Sequence, residues 1–499
     1  YTTEESSPFE NMLAEVMDDL LTYESQKYKE QRLVSFVSEP SIDPFEYKYD
    51  IKLQSEKIVS IDANHIKLTE NIESGFFASY HIYDYITDFS KCLAESEIQV
   101  HADYLNKIDK NTSDDGYVEM LNLYHEMPVL ISSYGFSTAR GIDNINTGFL
   151  TEQKQGENLM NTFDEIITAG CCGAIISTWQ DNWSNHTWNT QYAIDTLQEK
   201  NWCDTQSVDQ KYGLMSFDPG KTERLCYIDG DPSEWNEKDL VSVQNNRSIS
   251  VKYDEEFVYF MVKEENLNQQ EAIYIPIDTT PKSGSYESKE YSVSFDRLAD
   301  FLIEIKGKDS ARLLVQEYYD PTRAMYEKSI SGVDPYIDVP DPYSTTFSVV
   351  RMLQKKSPDP LVNLQKMSNE QRFLFNLSPI YETGRLNYGN GNPNSRDYNS
   401  QADYIFGSDC IEIRIPWQLL NFSDPSNMMI HDDYYQNYGV EKMHVDKMYV
   451  GVGNFGDETI KTNSIKLKEW KSRVDYHERL KQSYYIIQEH WAQGENVEY

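Results

Sequence analysis

Two short stretches decide how this chain is read: Pro128-Val129-Leu130-Ile131-Ser132-Ser133-Tyr134-Gly135 and Ile175-Ile176-Ser177-Thr178-Trp179-Gln180-Asp181-Asn182-Trp183. Each opens as an apolar run of strand length and closes in polar and aromatic residues. Between them Leu159, Met160, Phe163, Ile166 and Ile167 recur at three- and four-residue spacings. That spacing predicts a helix, with Gly170 as its C-terminal glycine. Strand, helix and strand make a β-α-β unit, which requires the two strands to run parallel. In a barrel of eight such units the carboxyl ends of the strands face the mouth where chemistry is done. Here those ends carry Ser133, Tyr134 and Gly135, then Trp179, Gln180 and Asp181.

Working outward, Ser7-Pro8-Phe9-Glu10 has the form of a capping box with proline at the first helical position. Behind it Phe9, Met12, Leu13, Val16, Met17, Leu20 and Leu21 keep helical spacing, so residues 8–30 are expected to form a helix with one buried face. Arg32–Ser38 reads as a strand, Glu39–Pro44 as a polar loop, and Gly75–Tyr85 as the surroundings of another strand at 76–81. Strands near 33–38, 76–81, 128–133 and 172–177 make four, with room for a weak fifth, where eight close a barrel. A half barrel leaves open sheet edges. The remaining strands are therefore expected outside this chain: on a missing N-terminal segment, on a partner chain, or removed by cleavage.

From about residue 226 the pattern changes to alternating runs without helices between them. Ser248–Tyr253 and Phe257–Val262 flank an Asp254-Glu255-Glu256 turn, and Phe301–Ile305 and Arg312–Gln316 flank Gly307-Lys308-Asp309. Asp409–Pro416 and Lys447–Val452 add two more strands. The expected fold is thus α/β plus all-β. A partial TIM-type (β/α)8 barrel covers 1–215, and an antiparallel β-sandwich covers 226–470. Insertion loops are expected over 320–405, and a tail with a short helical pattern and Trp491 over 471–499.

The stretch at 128–135 resembles strand seven of the retaining β-glycosidase barrels, the clan of family 2-like, β-galactosidase-like glycoside hydrolases. Those barrels commonly read Pro-hydrophobic-hydrophobic-x-Ser-Glu-Tyr/Phe-Gly there and carry a Trp at the end of strand eight. The resemblance implies a glutamate nucleophile, and in this register Ser133 stands in its place. Ser38-Glu39-Pro40 resembles the Asn-Glu-Pro that bears the acid/base, with Ser for Asn. His81 and Tyr83 resemble the His-x-Tyr after strand six. Farther on, Ile228-Asp229-Gly230 with Glu234-Trp235 resembles the opening of a family 9-like carbohydrate-binding module. Tyr274–Thr279 and Glu412–Trp417 fit that resemblance.

Retaining hydrolysis needs two carboxyls about 5 Å apart. A serine hydroxyl is not ionised near neutral pH and requires an adjacent base to act as nucleophile. Glu39 and Asp181 are the carboxylates that could carry catalysis in its absence, Asp181 through an inverting mechanism; each is otherwise an ordinary loop carboxylate. His81, Tyr83, Tyr134, Trp179, Trp183 and Trp188 are the candidate sugar-binding residues, since indole and phenol faces stack on pyranose rings. Trp235 and Trp417, in strand-like surroundings, are expected in the core.

The balance of 45 basic against 82 acidic residues, a net charge of −37, argues against nucleic acid and anionic membrane partners. No run of 18 apolar residues is present, so no membrane insertion is expected. The six cysteines include no C-x-x-C pair, and no metal or cofactor is expected. Cys171 and Cys172 are expected to open a buried strand. Six N-x-S/T sequons occur, Asn111 and Asn185 among them. The resemblance, with Ser133 in the nucleophile's place, implies recognition of a polysaccharide or oligosaccharide by a degenerate glycosidase-like barrel with an appended carbohydrate-binding sandwich, at the cell surface or outside the cell. An active glycoside hydrolase and a structural cell-surface assembly protein are the alternatives.

Overall fold

The computed structural model describes residues 1–83, 89–106, 116–144, 147–355, 366, 368 and 380–494. Strands Val37–Ser38, Ala78–Ile82, Val129–Tyr134 and Gly173–Ile176 pair in that order, all parallel. Among the described residues this sheet is open, with no closed barrel. Val129 and Ile131, two apart on one face of their strand, are fully buried. Helix Glu152–Thr168 crosses between the last two strands; Thr151 caps it by accepting from Lys154 N at 3.1 Å. Leu159, Met160 and Ile166 are its buried face, while Ile167 is exposed and Phe163 packs against Trp491. Gly170 ends it with φ +87°, a left-handed turn that a side chain would strain.

Three expectations for this half need correction. Helix Pro8–Lys27 has its capping box, with Ser7 and Glu10 reciprocally bonded, but its apolar residues do not share one buried face. Glu10, Ala14, Leu21 and Glu24 turn inward, because the Glu10 carboxylate is anchored by Asp62 N at 2.7 Å. Phe9, Met12, Val16 and Leu20 consequently lie exposed along the outside. The first strand is shorter than expected: only Val37–Ser38 pairs continuously, with one isolated bridge from Val34 to Phe76. Cys172 is exposed rather than buried, and none of the six cysteines is in a disulfide. Asp84, Tyr85 and the sequon at Asn111 lie outside the described residues.

In the second half, Phe257–Glu264 lies between Arg247–Tyr253 and Cys410–Pro416 in a five-stranded antiparallel sheet. Ile273–Asp278 pairs with Phe301–Lys306 and Lys447–Gly451 in a second, seven-stranded sheet. Phe260 and Ile413 of the first sheet share one apolar core with Ile275, Ile303 and Leu313 of the second. Burying the alternate residues of both sheets this way supplies the hydrophobic drive that holds them face to face. Trp417 is fully buried there, its indole N–H donating to Asp254 O at 2.8 Å. The segment expected as loops contains helix Pro321–Ser331 and short strands at Phe347–Val349 and Tyr404–Phe406; most of 356–379 lies outside the described residues.

The C-terminal tail contributes one strand and one helix. Tyr476–Leu480 pairs antiparallel with Met215–Pro219, and helix Gln482–Gly494 packs on helix Glu152–Thr168. The close approach needs Gly156, where a Cβ would stand 2.8 Å from Ser483 Cα. A buried charged network joins this return to both halves. Arg479 binds Glu152 and Asp218, Lys481 binds Asp181 at 2.7 Å, and Lys211 binds Glu256 at 2.9 Å. Arg224 reaches Glu256 at 2.6 Å, and Arg140 pairs with Asp403 at 3.0 Å. These pairs line a polar cavity of about 50 Å³. Buried charges are tolerated only when paired and hydrogen-bonded, and here each cation has its carboxylate.

Candidate functional site

A cleft of about 760 Å³ opens beside the carboxyl ends of the parallel strands. Tyr83 enters it just after strand Ala78–Ile82, and Ser177, Thr178 and Gln180 enter just after strand Gly173–Ile176. Asn182, Ser184, Asn185 and His186 continue the wall, and Asp143, Asp209 and Tyr212 complete it. The Tyr83 and Tyr212 rings meet nearly at right angles, centroids 6.0 Å apart. The Tyr83 hydroxyl and Ser133 Oγ are 2.5 Å apart, and His81 is the register partner of Ser133 across the sheet. Parallel pairing thus brings Ser133, His81 and Tyr83 to one end of the sheet.

The loops behind the cleft are knitted by Gln210. Its amide donates to Trp183 O at 3.0 Å, Asn185 O at 2.9 Å and Glu199 Oε1 at 2.9 Å. Asn185 Nδ2 donates to Asp209 O at 3.1 Å. His186 has Glu199, which is fully buried, behind it, with Nδ1 and Oε2 3.2 Å apart. Burial first, and the neighbouring Asp204 second, push the Glu199 carboxyl up to about 8. Asp209 is open to the lumen, yet its recessed setting first and the Asp143 carboxylate second raise it to about 6, with His186 pulling the other way. A carboxyl that titrates there can both donate and accept a proton near neutral pH.

Of the residues singled out in the sequence, Tyr83 lines this cleft and Ser133 touches it through the Tyr83 hydroxyl. His81 stands next to Tyr83, ring centroids 6.4 Å apart. Glu39 follows the first strand; its carboxylate accepts from Ser41 Oγ at 2.5 Å, and it is not among the cleft-lining residues. Asp181 is elsewhere, 1% exposed, bound to Lys481 and to Gly213 N at 2.9 Å, facing the charged internal cavity. Burial raises its pKa against the pull of Lys481 and Lys211. Tyr134 is buried in the apolar core of the first half. Trp183 is buried beside Tyr476, Trp188 is half-buried under Lys355 Nζ, and Trp179 is 53% exposed against Tyr484. None of these three indoles lines the cleft.

Asp143, His186, Glu199, Asp209 and Tyr212 were not singled out by any motif. They lie in loops and in elements of only three residues, too short for periodicity to mark which side chains face inward. The one usable signal was their place: His186 and the Asp209–Tyr212 segment follow the last parallel strand, where the wall of a mouth would be built.

One trio of described residues, Cys226, Glu234 and Glu412, brings possible metal-ligating atoms within 4.8 Å of one another. The Glu412 carboxylate already accepts from Trp235 Nε1 at 2.7 Å, Gly230 N at 2.8 Å and Asp229 N at 3.0 Å. It works as a latch that ties the Ile228–Trp235 opening to strand Cys410–Pro416, which explains why Trp235 is core. No family model, curated protein or solved structure matches this chain.

Proposed function

We propose that this chain is a carbohydrate-recognition protein whose binding site is the cleft at the strand ends. One observation carries the proposal: the cleft pairs aromatic walls, Tyr83 and Tyr212, with a rim of side-chain amides and hydroxyls from Gln180, Asn182, Asn185, Ser177, Thr178 and Ser184. Phenol faces suit the C–H faces of a pyranose, and amides and hydroxyls match its hydroxyl edges. The resemblance to retaining β-glycosidases supports the same ligand class. A hydroxyl at Ser133 and the sealed, lysine-bound Asp181 favour binding over turnover. On this proposal the ligand is a polysaccharide or oligosaccharide met at the cell surface or outside the cell.

The test is reducing-sugar release from a polysaccharide panel, with bound protein recorded in the same wells. The expected result is binding without release, weakened by Tyr83→Ala. Release abolished by Glu39→Gln would overturn the proposal, as would neither binding nor release. A second function, hydrolysis, is favoured by the raised carboxyl of Asp209 beside Asp143. Release that survives Glu39→Gln but is lost in Asp209→Asn would select it.

A further inference from the structure

We propose that the internal charged cavity is a binding site for one small monovalent anion of the chloride class. The carboxylates of its wall are those paired above, each with a lysine or an arginine. Arg414 is a further cation on the same wall, and no carboxylate among the described residues pairs with it. Its Nε and Nη2 donate to Ala402 O and Ser400 O, both at 2.7 Å, and its guanidinium lies 4.7 Å from the Phe257 ring centroid. With every carboxylate ionised, the wall therefore holds one positive charge in excess. The second observation is Arg224. Its side chain is 9% exposed and Nη2 reaches Glu256 and Asp218, but the buried Nη1 has no hydrogen-bond partner. A buried guanidinium donor without an acceptor is costly, and an acceptor inside the cavity would remove that cost. Asp254 stands near Arg224 outside the wall, but its oxygens already accept from Glu256 N, Phe257 N and the Tyr259 hydroxyl.

Water could satisfy Arg224 Nη1 but not the excess charge, whereas an anion does both. Asp181 Oδ2, also without a partner, calls for a donor instead, which a water supplies. The volume of about 50 Å³ has room for both, since a water needs about 10–15 Å³ on this measure. On a chain of net charge −37 an anion is retained only where the local wall is positive. That wall joins Arg140 and Lys211 of the first half, Arg224 and Arg414 of the second, and Lys481 of the C-terminal return. The ion thus clamps all three together.

The experiment follows thermal unfolding of the whole chain at pH 7 while sodium chloride replaces sodium gluconate at fixed ionic strength. Gluconate is too large for the cavity, so the exchange isolates the bound ion from general screening. Tm should rise by about 2 °C between 1 and 150 mM chloride and then level off, as a ligand of the folded state requires. Crystals grown with sodium bromide should show an anomalous peak within hydrogen-bonding reach of Arg224 Nη1. Both results are needed. A flat or unsaturating response, or density for water alone in the cavity, would overturn the proposal. The Arg414→Met variant should lose the chloride response, and a folded variant that keeps it would overturn the site. Should that variant fail to fold, the two measurements on the parent chain decide.

Discussion

Replacing Arg479 with methionine tests whether the buried charges hold the C-terminal return in place. The guanidinium donates to Glu152 at 2.7 and 3.0 Å and to Asp218 at 2.7 Å, and those carboxylates are nearly inaccessible. Methionine keeps most of the stem but leaves two acids short of a partner. Asp218 retains Arg224 at 3.3 Å, and Glu152 retains Gln482 N at 3.0 Å and the Tyr398 hydroxyl at 3.1 Å. The three lost charge-assisted bonds are therefore partly covered, and the expected cost is about 3–5 kcal/mol, the range for breaking a buried pair. Urea unfolding read by tryptophan fluorescence and by circular dichroism measures it, with coincident curves required before a single free energy is assigned. The double variant with Glu152→Gln should cost less than the sum of the two single variants. A loss under about 1 kcal/mol, the worth of an exposed pair, would refute the reasoning.

The pH dependence carries the same test. Burial pushes Glu152 and Asp218 up, but Arg479 on the first and Arg224 with Arg479 on the second hold both below their ordinary values of 4.5 and 3.8. Depressed carboxyls give stability that is present above those ordinary values and is lost as pH falls through the folded ones. The Arg479→Met variant should accordingly show a shallower loss of stability below about pH 4.5 than the parent chain.

Three further outcomes follow from the geometry. Ser133→Glu should create or raise sugar release if only the nucleophile is missing; no gain in a folded variant would mean that the surrounding groups no longer support retaining chemistry. Glu199 is held protonated by burial, so stability falls as pH rises from its ordinary 4.5 through about 8. Glu199→Gln should therefore raise Tm by about 2 °C at pH 9 and change it little at pH 5, and equal shifts at both would refute the assignment. Glu412→Ala leaves the N–H groups of Asp229, Gly230 and Trp235 without their acceptor; a loss of about 2–4 kcal/mol with a red-shifted Trp235 emission is expected, and an unchanged urea midpoint would contradict the latch.

The four parallel strands were legible because each is a short apolar run bounded by turn residues, and 128–135 and 172–177 needed no other signal. The hairpins at 247–264 and 301–316 were legible through alternation, and their boundaries moved by only a residue or two. Helix Pro8–Lys27 was found by its cap, but its orientation was misjudged, since nothing local announces that Glu10 will be tied to Asp62 across a loop. Asp181 illustrates the harder limit. Its position after a strand matched a catalytic carboxylate, yet its partner Lys481 lies 300 residues away, a pairing that no spacing pattern records. The cleft was half legible: Ser133 belongs to a strand and Tyr83 directly follows one, whereas Asp143 sits in a three-residue strand, Asp209 in a single 3-10 turn and His186 between elements, all too short for a period to show.

The return of the C-terminal segment sets a timetable for synthesis. Glu152 emerges from the ribosome 327 residues before the Arg479 that neutralises it. At about 5–20 residues per second that interval is about 16–65 s, during which helix Glu152–Thr168 lacks the helix that covers it. The first half is thus held incomplete while the second half is made.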